Sequence, residues 1–177
     1  MSMNLLLAGF GGQGILFTGK VAAYAGMLDG KEVSWLPSYG PEMRGGTANC
    51  SVCVSDSPIG SPLVTAPDVL IAMNLPSLEK FEPAVVPGGL IILDSSIVEQ
   101  KVKRKDIRAV YLPATRLASD SGLKGMANMV MAGRLFKEAK FCSEDAFMEG
   151  IKKSVPARKQ ELLDNNIKAV RIGMESK

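Results

Sequence analysis

The 177-residue chain contains no histidine. That absence excludes Ser–His–Asp and Cys–His triads, imidazole metal ligands and the commonest general base at neutral pH. Cysteine is scarce and odd in number, at Cys50, Cys53 and Cys142. Three dispersed thiols argue against a disulfide framework and suit a reducing compartment. Aromatic residues make up only 6% of the chain, and no stretch interleaves them with Arg or Lys as single-strand nucleic-acid binders do. Charge of one sign is not in strong excess either: 21 basic against 18 acidic residues give +3, too mild to imply a nucleic-acid partner. The pI of 8.8 fits acidic partners or phosphates and nothing stronger.

Long hydrophobic runs are also missing. The runs "VLIAM" and "LIIL" are of strand length, far short of the ~20 residues that span a bilayer. No basic stretch precedes the first apolar run and no small-residue cleavage site follows it, which argues against a secretory signal. A cytoplasmic protein with no membrane segment is the expectation. What is present is 46% hydrophobic and 22% charged residues, an ordinary composition for a folded domain. The length suits a single domain over 1–177 with one sizeable core.

Met3 to Ala8 is a continuous apolar run ending at glycine, which reads as a buried parallel strand. Residues 12–28 then carry apolar side chains at helical spacing, with Gly30 as a stop signal. Residues 32–36 form a short strand, 37–46 a loop of turn formers, and 47–55 another strand. Strands over 68–73, 89–94 and 110–112 and a short helix over 76–81 continue the alternation. Helices are expected over 123–140, 144–154 and 156–172, with Ser143 as an N-cap before Glu144 and Asp145. The pattern predicts an α/β fold: a Rossmann-like, mostly parallel sheet flanked by helices, ending in a helical C-terminal third. Within it, 1–142 form the α/β core and 143–177 a C-terminal helical segment.

The turn after the first strand reads Gly9-x-Gly11-x-x-Gly14. Glycines there let the chain turn tightly and let a phosphate or another backbone come close. A dinucleotide fold also needs an acidic residue roughly 20 positions on, at the end of the second strand, to hold the ribose. Here that strand reads "EVSWLPSYG", with Glu32 at its start and Ser34, Trp35 and Leu36 at its end. The ribose anchor is missing. Dinucleotide binding, an anion site and a purely structural turn all remain open on the glycines alone.

The stretch "WLPSYGPEMRGGTANCSV" packs Tyr39, Glu42, Arg44 and the adjacent Gly45 and Gly46 into one loop after the second strand. Loops after parallel strands gather at the carboxyl edge of the sheet, beside the glycine turn. Arg44 could grip a carboxylate or phosphate in bidentate fashion. Taken alone, the loop is equally a surface loop with a weak Glu–Arg pair.

Taken together, "GFGGQGI" at 9–15, "PSYGPEMRGGTANCSVCVSD" at 37–56, "IGSP" at 59–62 and "GMANMVMAG" at 125–133 resemble the gamma subunit of 2-oxoacid:ferredoxin oxidoreductases. That family handles pyruvate, 2-ketoisovalerate or 2-oxoglutarate and extends to the indolepyruvate oxidoreductase small subunit. The resemblance implies one component of a heteromeric complex that converts a 2-oxoacid and coenzyme A to acyl-CoA and CO2, with electrons passing to ferredoxin. It implies thiamine diphosphate, Mg²⁺ and 4Fe–4S clusters on partner subunits, none bound by this chain alone, and coenzyme A as co-substrate. The implied partners are alpha and beta subunits and a ferredoxin-like delta subunit or ferredoxin, leaving room for a homodimer of the isolated chain. The residues it points to are Gly11, Gly12, Gln13 and Gly14 at the turn and Tyr39, Glu42, Arg44, Gly45, Gly46 and Thr47 in the facing loop. Their implied role is to dock alpha and line the cofactor and coenzyme A entrance. No catalytic residue and no metal ligand is assigned, because three cysteines cannot hold a 4Fe–4S cluster alone. A free-standing NAD(P) or flavin oxidoreductase and a non-catalytic scaffold subunit are the rival readings.

Three further features read as structural. Cys50-x-x-Cys53 lies in a strand-like segment, where residues three apart face opposite sides. The basic run "KVKRKDIR" at 101–108 reads first as a solvated edge, and less readily as a contact for phosphates. Asn128 sits near a helix start, where it would cap or bond the loop region or a partner.

Overall fold

The computed structural model describes residues 2–38 and 47–176. Strand β1 (Ser2–Phe10) is the hub. Leu5, Leu6, Leu7 and Ala8 are all buried on it, as an interior strand covered on both faces requires. Helix α1 (Ile15–Leu28) leads to β2 (Glu32–Ser38), and β3 (Thr47–Ser55) returns. β4 (Val69–Ala72), α2 (Leu75–Phe81), a 3₁₀ turn at Glu82–Ala84, β5 (Leu90–Asp94) and β6 (Arg108–Leu112) follow. Helices α3 (Ala114–Asp120), α4 (Ala127–Ala139), α5 (Glu144–Ser154) and α6 (Gln160–Glu175) complete the chain.

The six strands lie in the order β2-β3-β1-β4-β5-β6. β1, β4, β5 and β6 pair in parallel, whereas β3 runs antiparallel to both β1 and β2. The sheet is therefore mostly parallel, with one reversed strand inserted beside β1. The eight residues at 39–46 explain the reversal, because a parallel crossover needs about a dozen or more residues and a hairpin does not.

Period-2 alternation splits the core. Leu5, Leu7, Val52, Ile71 and Ile92 face a layer built from α1 and the C-terminal helices. Leu6, Ala8, Cys53, Leu70 and Ile91 face α2 and the loops around Val64 and Val98. Cys50 and Cys53 thus enter opposite halves of the core.

Element boundaries differ from the sequence expectation where backbone conformation decides. α1 begins at Ile15, not Gly12, because Gly12 and Gly14 take φ of +92° and +76°, outside the right-handed helix. α4 begins at Ala127, not Leu123, after Gly125 at φ +86°. The short α3 was not expected: seven residues are too few to display a helical period. Ser143 caps α5 as its side chain predicts, accepting from Ala146 N.

The C-terminal helical layer is pinned by backbone contact. α4 and α6 cross where Gly133 faces the Val170 carbonyl and Gly173 faces the Val130 carbonyl, so a Cβ on either would penetrate the opposing backbone. Beside the crossing, the largely buried Arg134 donates to Ser176 O at 2.6 Å and pairs with Glu138 at 2.9 Å. Glu138 also meets Arg108 of β6 at 2.7 Å. No helix among the described residues is long and apolar enough to cross a membrane.

Candidate functional site

The glycine turn sits at the carboxyl edge of the sheet, between β1 and α1. Gly12 is exposed, and nothing stands where its Cβ would be. Gly14 is constrained differently: its missing Cβ is replaced by the carboxamide of Asn128. Asn128 is buried at the start of α4 and donates from Nδ2 to Gly14 O and to Thr18 Oγ1, both at 3.3 Å. Thr18 Oγ1 donates back to Gly14 O at 3.2 Å. Asn128 therefore bonds the glycine turn itself.

Gln13 is committed inward. Its Oε1 accepts from Phe10 N at 2.6 Å, and its Nε2 donates to Met73 O at 3.0 Å beyond the end of β4. The side chain staples the turn to the neighbouring strand and leaves the backbone, not the carboxamide, as the turn's outward face.

Tyr39, Glu42, Arg44, Gly45 and Gly46 lie outside the described residues. The strands on either side of them end at Ser38 of β2 and begin at Thr47 of β3. Ser38 pairs with Asn49, and Thr47 pairs with Phe10 directly before the glycine turn. Both ends of the segment thus stand at the same sheet edge as Gly11–Gly14, with Thr47 half-buried at the start of β3.

Two clefts flank the turn. One of about 250 Å³ is lined by Phe10, Gly11, Gly12 and Gly14, the first turn of α1 and Ala48 of β3. The other, about 300 Å³, lies on the β4 side and is walled by Gly12, Gln13, Met73, Thr115, Ser119 and Lys124 among others. Behind it Asp94 is fully buried at the end of β5. Its carboxylate accepts from Thr115 Oγ1 at 2.6 Å, from Thr115 N at 3.2 Å and from Ser96 N at 3.1 Å. Sequence reasoning missed Thr115, Ser119, Lys124 and Asp94. The one available signal was a carboxylate ending the apolar strand "LIILD".

All three thiols are free and buried. Burial pushes the Cys50 thiol up to about 12, and the same cause raises Cys142 to about 12, as for thiols packed in a core. No cluster of acidic residues and cysteines that could hold a metal occurs among the described residues. The basic run is tied down locally. Arg104 donates to the carbonyls of Glu82, Pro83 and Val85 and pairs with Asp106. Glu82 Oε1 accepts from Lys103 N at 2.6 Å and Arg104 N at 2.8 Å. Lys101 lies over the Tyr111 ring at 4.1 Å.

The relatives of the chain agree with this architecture. Residues 4–176 match the family described as pyruvate ferredoxin/flavodoxin oxidoreductase. Ketoisovalerate oxidoreductase subunit VorA of Methanothermobacter thermautotrophicus is 40% identical over 98% of this chain and 36% of its own length. The chain thus spans little more than a third of that relative, and the VorA of Methanothermobacter marburgensis is covered to the same 36%. 2-Oxoglutarate synthase subunit KorC of Methanothermobacter marburgensis is 37% identical over 99% of this chain and 96% of its own length. The gamma subunit of a keto/oxoacid ferredoxin oxidoreductase from Geobacter sulfurreducens has a crystal structure of the same fold. It superposes with a TM-score of 0.86 at 27% identity, over 99% of this chain and 95% of that one.

Proposed function

The chain belongs to the pyruvate ferredoxin/flavodoxin oxidoreductase family, in its gamma-subunit form, and from that premise we propose how it works. It serves a heteromeric, cytoplasmic 2-oxoacid:ferredoxin oxidoreductase that oxidatively decarboxylates a 2-oxoacid to acyl-CoA and CO2. Thiamine diphosphate, held with its Mg²⁺ by alpha and beta subunits, supplies the electron sink for decarboxylation. Iron–sulfur clusters on partner chains carry the electrons onward. This chain contributes no catalytic side chain. It docks on alpha and presents one edge of the coenzyme A entrance.

The observation that carries the reading is the register Phe10↔Thr47. It brings the described strand ends on either side of residues 39–46, Ser38 and Thr47, to the sheet edge that carries Gly11–Gly14. Exposed apolar residues on the adjoining edge strand, Trp35 and Leu36, suit a covered interface better than open solvent.

The same topology weakens the dinucleotide reading. In a dinucleotide fold the strand beside β1 ends in the ribose-binding acid. Here the reversed β3 occupies that place, and Glu32 pairs with Ser55 at the far end of the sheet from the turn.

The test is the assembled complex. Native purification of the chain is expected to bring down a thiamine-diphosphate-containing pair of partners. Arg44→Ala in that complex is expected to raise the KM for coenzyme A or to weaken association with alpha. A monomer that carries NAD, or an Arg44→Ala complex with normal assembly and kinetics, contradicts the assignment.

A further inference from the structure

Helix α1 is drawn down onto the β2–β3 pair by glycines about two turns apart. A Cβ on Gly19 would collide with Cys50 Sγ and stand 3.1 Å from Trp35 Nε1. A Cβ on Gly26 would stand 2.9 Å from Val54 Cγ1 and 3.0 Å from Val33 Cγ2. The outer flank of the helix and the side chains of β2 on that face are left to form a groove. Its volume is about 230 Å³, and Lys20, Ala23, Tyr24, Met27, Val33 and Trp35 line it.

The groove has the form of a polypeptide contact. Met27 is 48% exposed and Trp35 39%, and their neighbours Leu28 and Leu36 are exposed as well. Contiguous apolar surface of this kind marks an interaction site. Trp35 is already held in place, because its indole nitrogen is lodged against Gly19, so binding orders little that is not ordered beforehand. Tryptophan is among the residues that anchor protein contacts most strongly. β2 is the last strand of the sheet, and the outer backbone of such a strand is free to pair with another chain. The groove also falls short of the roughly 300 Å³ at which small-molecule clefts begin, while it suits inserted side chains.

Lys20 decides what kind of polypeptide fits. It is the one charged side chain on the lining. Its ammonium lies 5.6 Å from the centre of the Tyr24 ring and makes no ion pair among the described residues. A second copy of the chain brings no answering charge, since groove against groove would set two ammoniums in one apolar contact. We propose that the groove receives a segment of the alpha subunit, with an apolar side chain entering between Met27 and Trp35 and a carboxylate pairing with Lys20. The assignment to alpha rests on the function proposed above; the chemistry of the segment rests on the groove.

Trp35 is the single tryptophan of the chain, so the full chain grown with fluorotryptophan gives one fluorine resonance, from the groove itself. It is titrated with the partner pair released from the native complex. The resonance shifts saturably, and the affinity falls as salt rises. Lys20→Glu weakens binding about tenfold or more, and Lys20→Gln flattens the salt dependence. Met27→Glu, at an exposed position, weakens binding by about the same factor. Amide spectra of the variants match that of the parent chain. A resonance that stays still during saturable binding, or parent affinity in both Lys20→Glu and Met27→Glu, overturns the groove and leaves the function standing. A resonance that moves with the concentration of the chain alone, together with a dimer in sedimentation, gives the groove to a second copy and overturns the proposal. A pair that binds through Lys20 and Met27 but carries no thiamine diphosphate and oxidises no 2-oxoacid keeps the groove and refutes the function.

Discussion

Glycine serves opposite ends at the carboxyl edge and in the C-terminal helical layer. At the edge, Gly12 holds a left-handed conformation with nothing in front of it. In the helical layer, Gly133 and Gly173 have ordinary helical backbone, and each lies against a carbonyl of the facing helix. The first use creates open space against which another molecule can come to rest. The second removes space so that two helices of one molecule can touch. A glycine in the sequence therefore says little until its partner, solvent or backbone, is known.

The largest expected effect follows from the second use. Gly133→Ala or Gly173→Ala gains about 1 kcal/mol of helix propensity. Against this stands overpacking into a backbone that cannot rotate away, about 3 kcal/mol or more. The net result is a drop of about 2 kcal/mol or more in unfolding free energy, read from denaturant midpoints. A midpoint equal to or above that of the parent chain shows that α4 and α6 can slide apart cheaply, and the contrast between the two regions dissolves. Arg134 would then be doing less than its position suggests, since its bonds to Ser176 and Glu138 need the helices held at this distance.

The intermediate case tests whether the edge is as well supported as the helical layer. Asn128→Ala removes two hydrogen bonds of 3.3 Å to Gly14 O and Thr18 Oγ1. Gly14 O retains Thr18 N and Thr18 Oγ1 as donors, so no buried acceptor is orphaned. The expected cost is about 1–2 kcal/mol, with faster amide exchange confined to Gly11–Gly14. Exchange that speeds up throughout α4 instead would show that Asn128 serves the helical layer and that the turn stands unaided.

The two regions also differ in how far the sequence revealed them. The strand and helix alternation, the Ser143 cap and the opposed faces of Cys50 and Cys53 follow from local periodicity and capping, which a sequence displays directly. The reversal of β3 was legible in principle, because residues 39–46 are too few for a crossover. The glycine turn was visible as a motif, but its supports were not. Gln13 spends its carboxamide on Phe10 and on Met73, sixty positions away, and Asn128 reaches Gly14 across 114. The wall of the β4-side cleft is likewise assembled from Met73 just past β4, from α3 and from the turn at Lys124. Such a site is a product of the fold, and no spacing rule in the chain announces it. Gly133 and Gly173 were invisible for the same reason: one glycine in an apolar helix looks like any other until a second helix crosses it.

The smallest effect is the sharpest check on the comparison. Gly12→Ala places a methyl where it meets no atom within 4 Å, so overpacking contributes nothing. What remains is the cost of holding an L-residue at φ +92°, about 1–2 kcal/mol. Asn tolerates left-handed backbone better than Ala, so Gly12→Asn should be the milder of the two in the same denaturant titration. This ordering follows from conformation alone and is absent at Gly133, where Asn is larger than Ala and must be worse. If Gly12→Asn instead destabilises more than Gly12→Ala, the space in front of the turn is not open, and packing limits the edge as it limits the α4–α6 crossing.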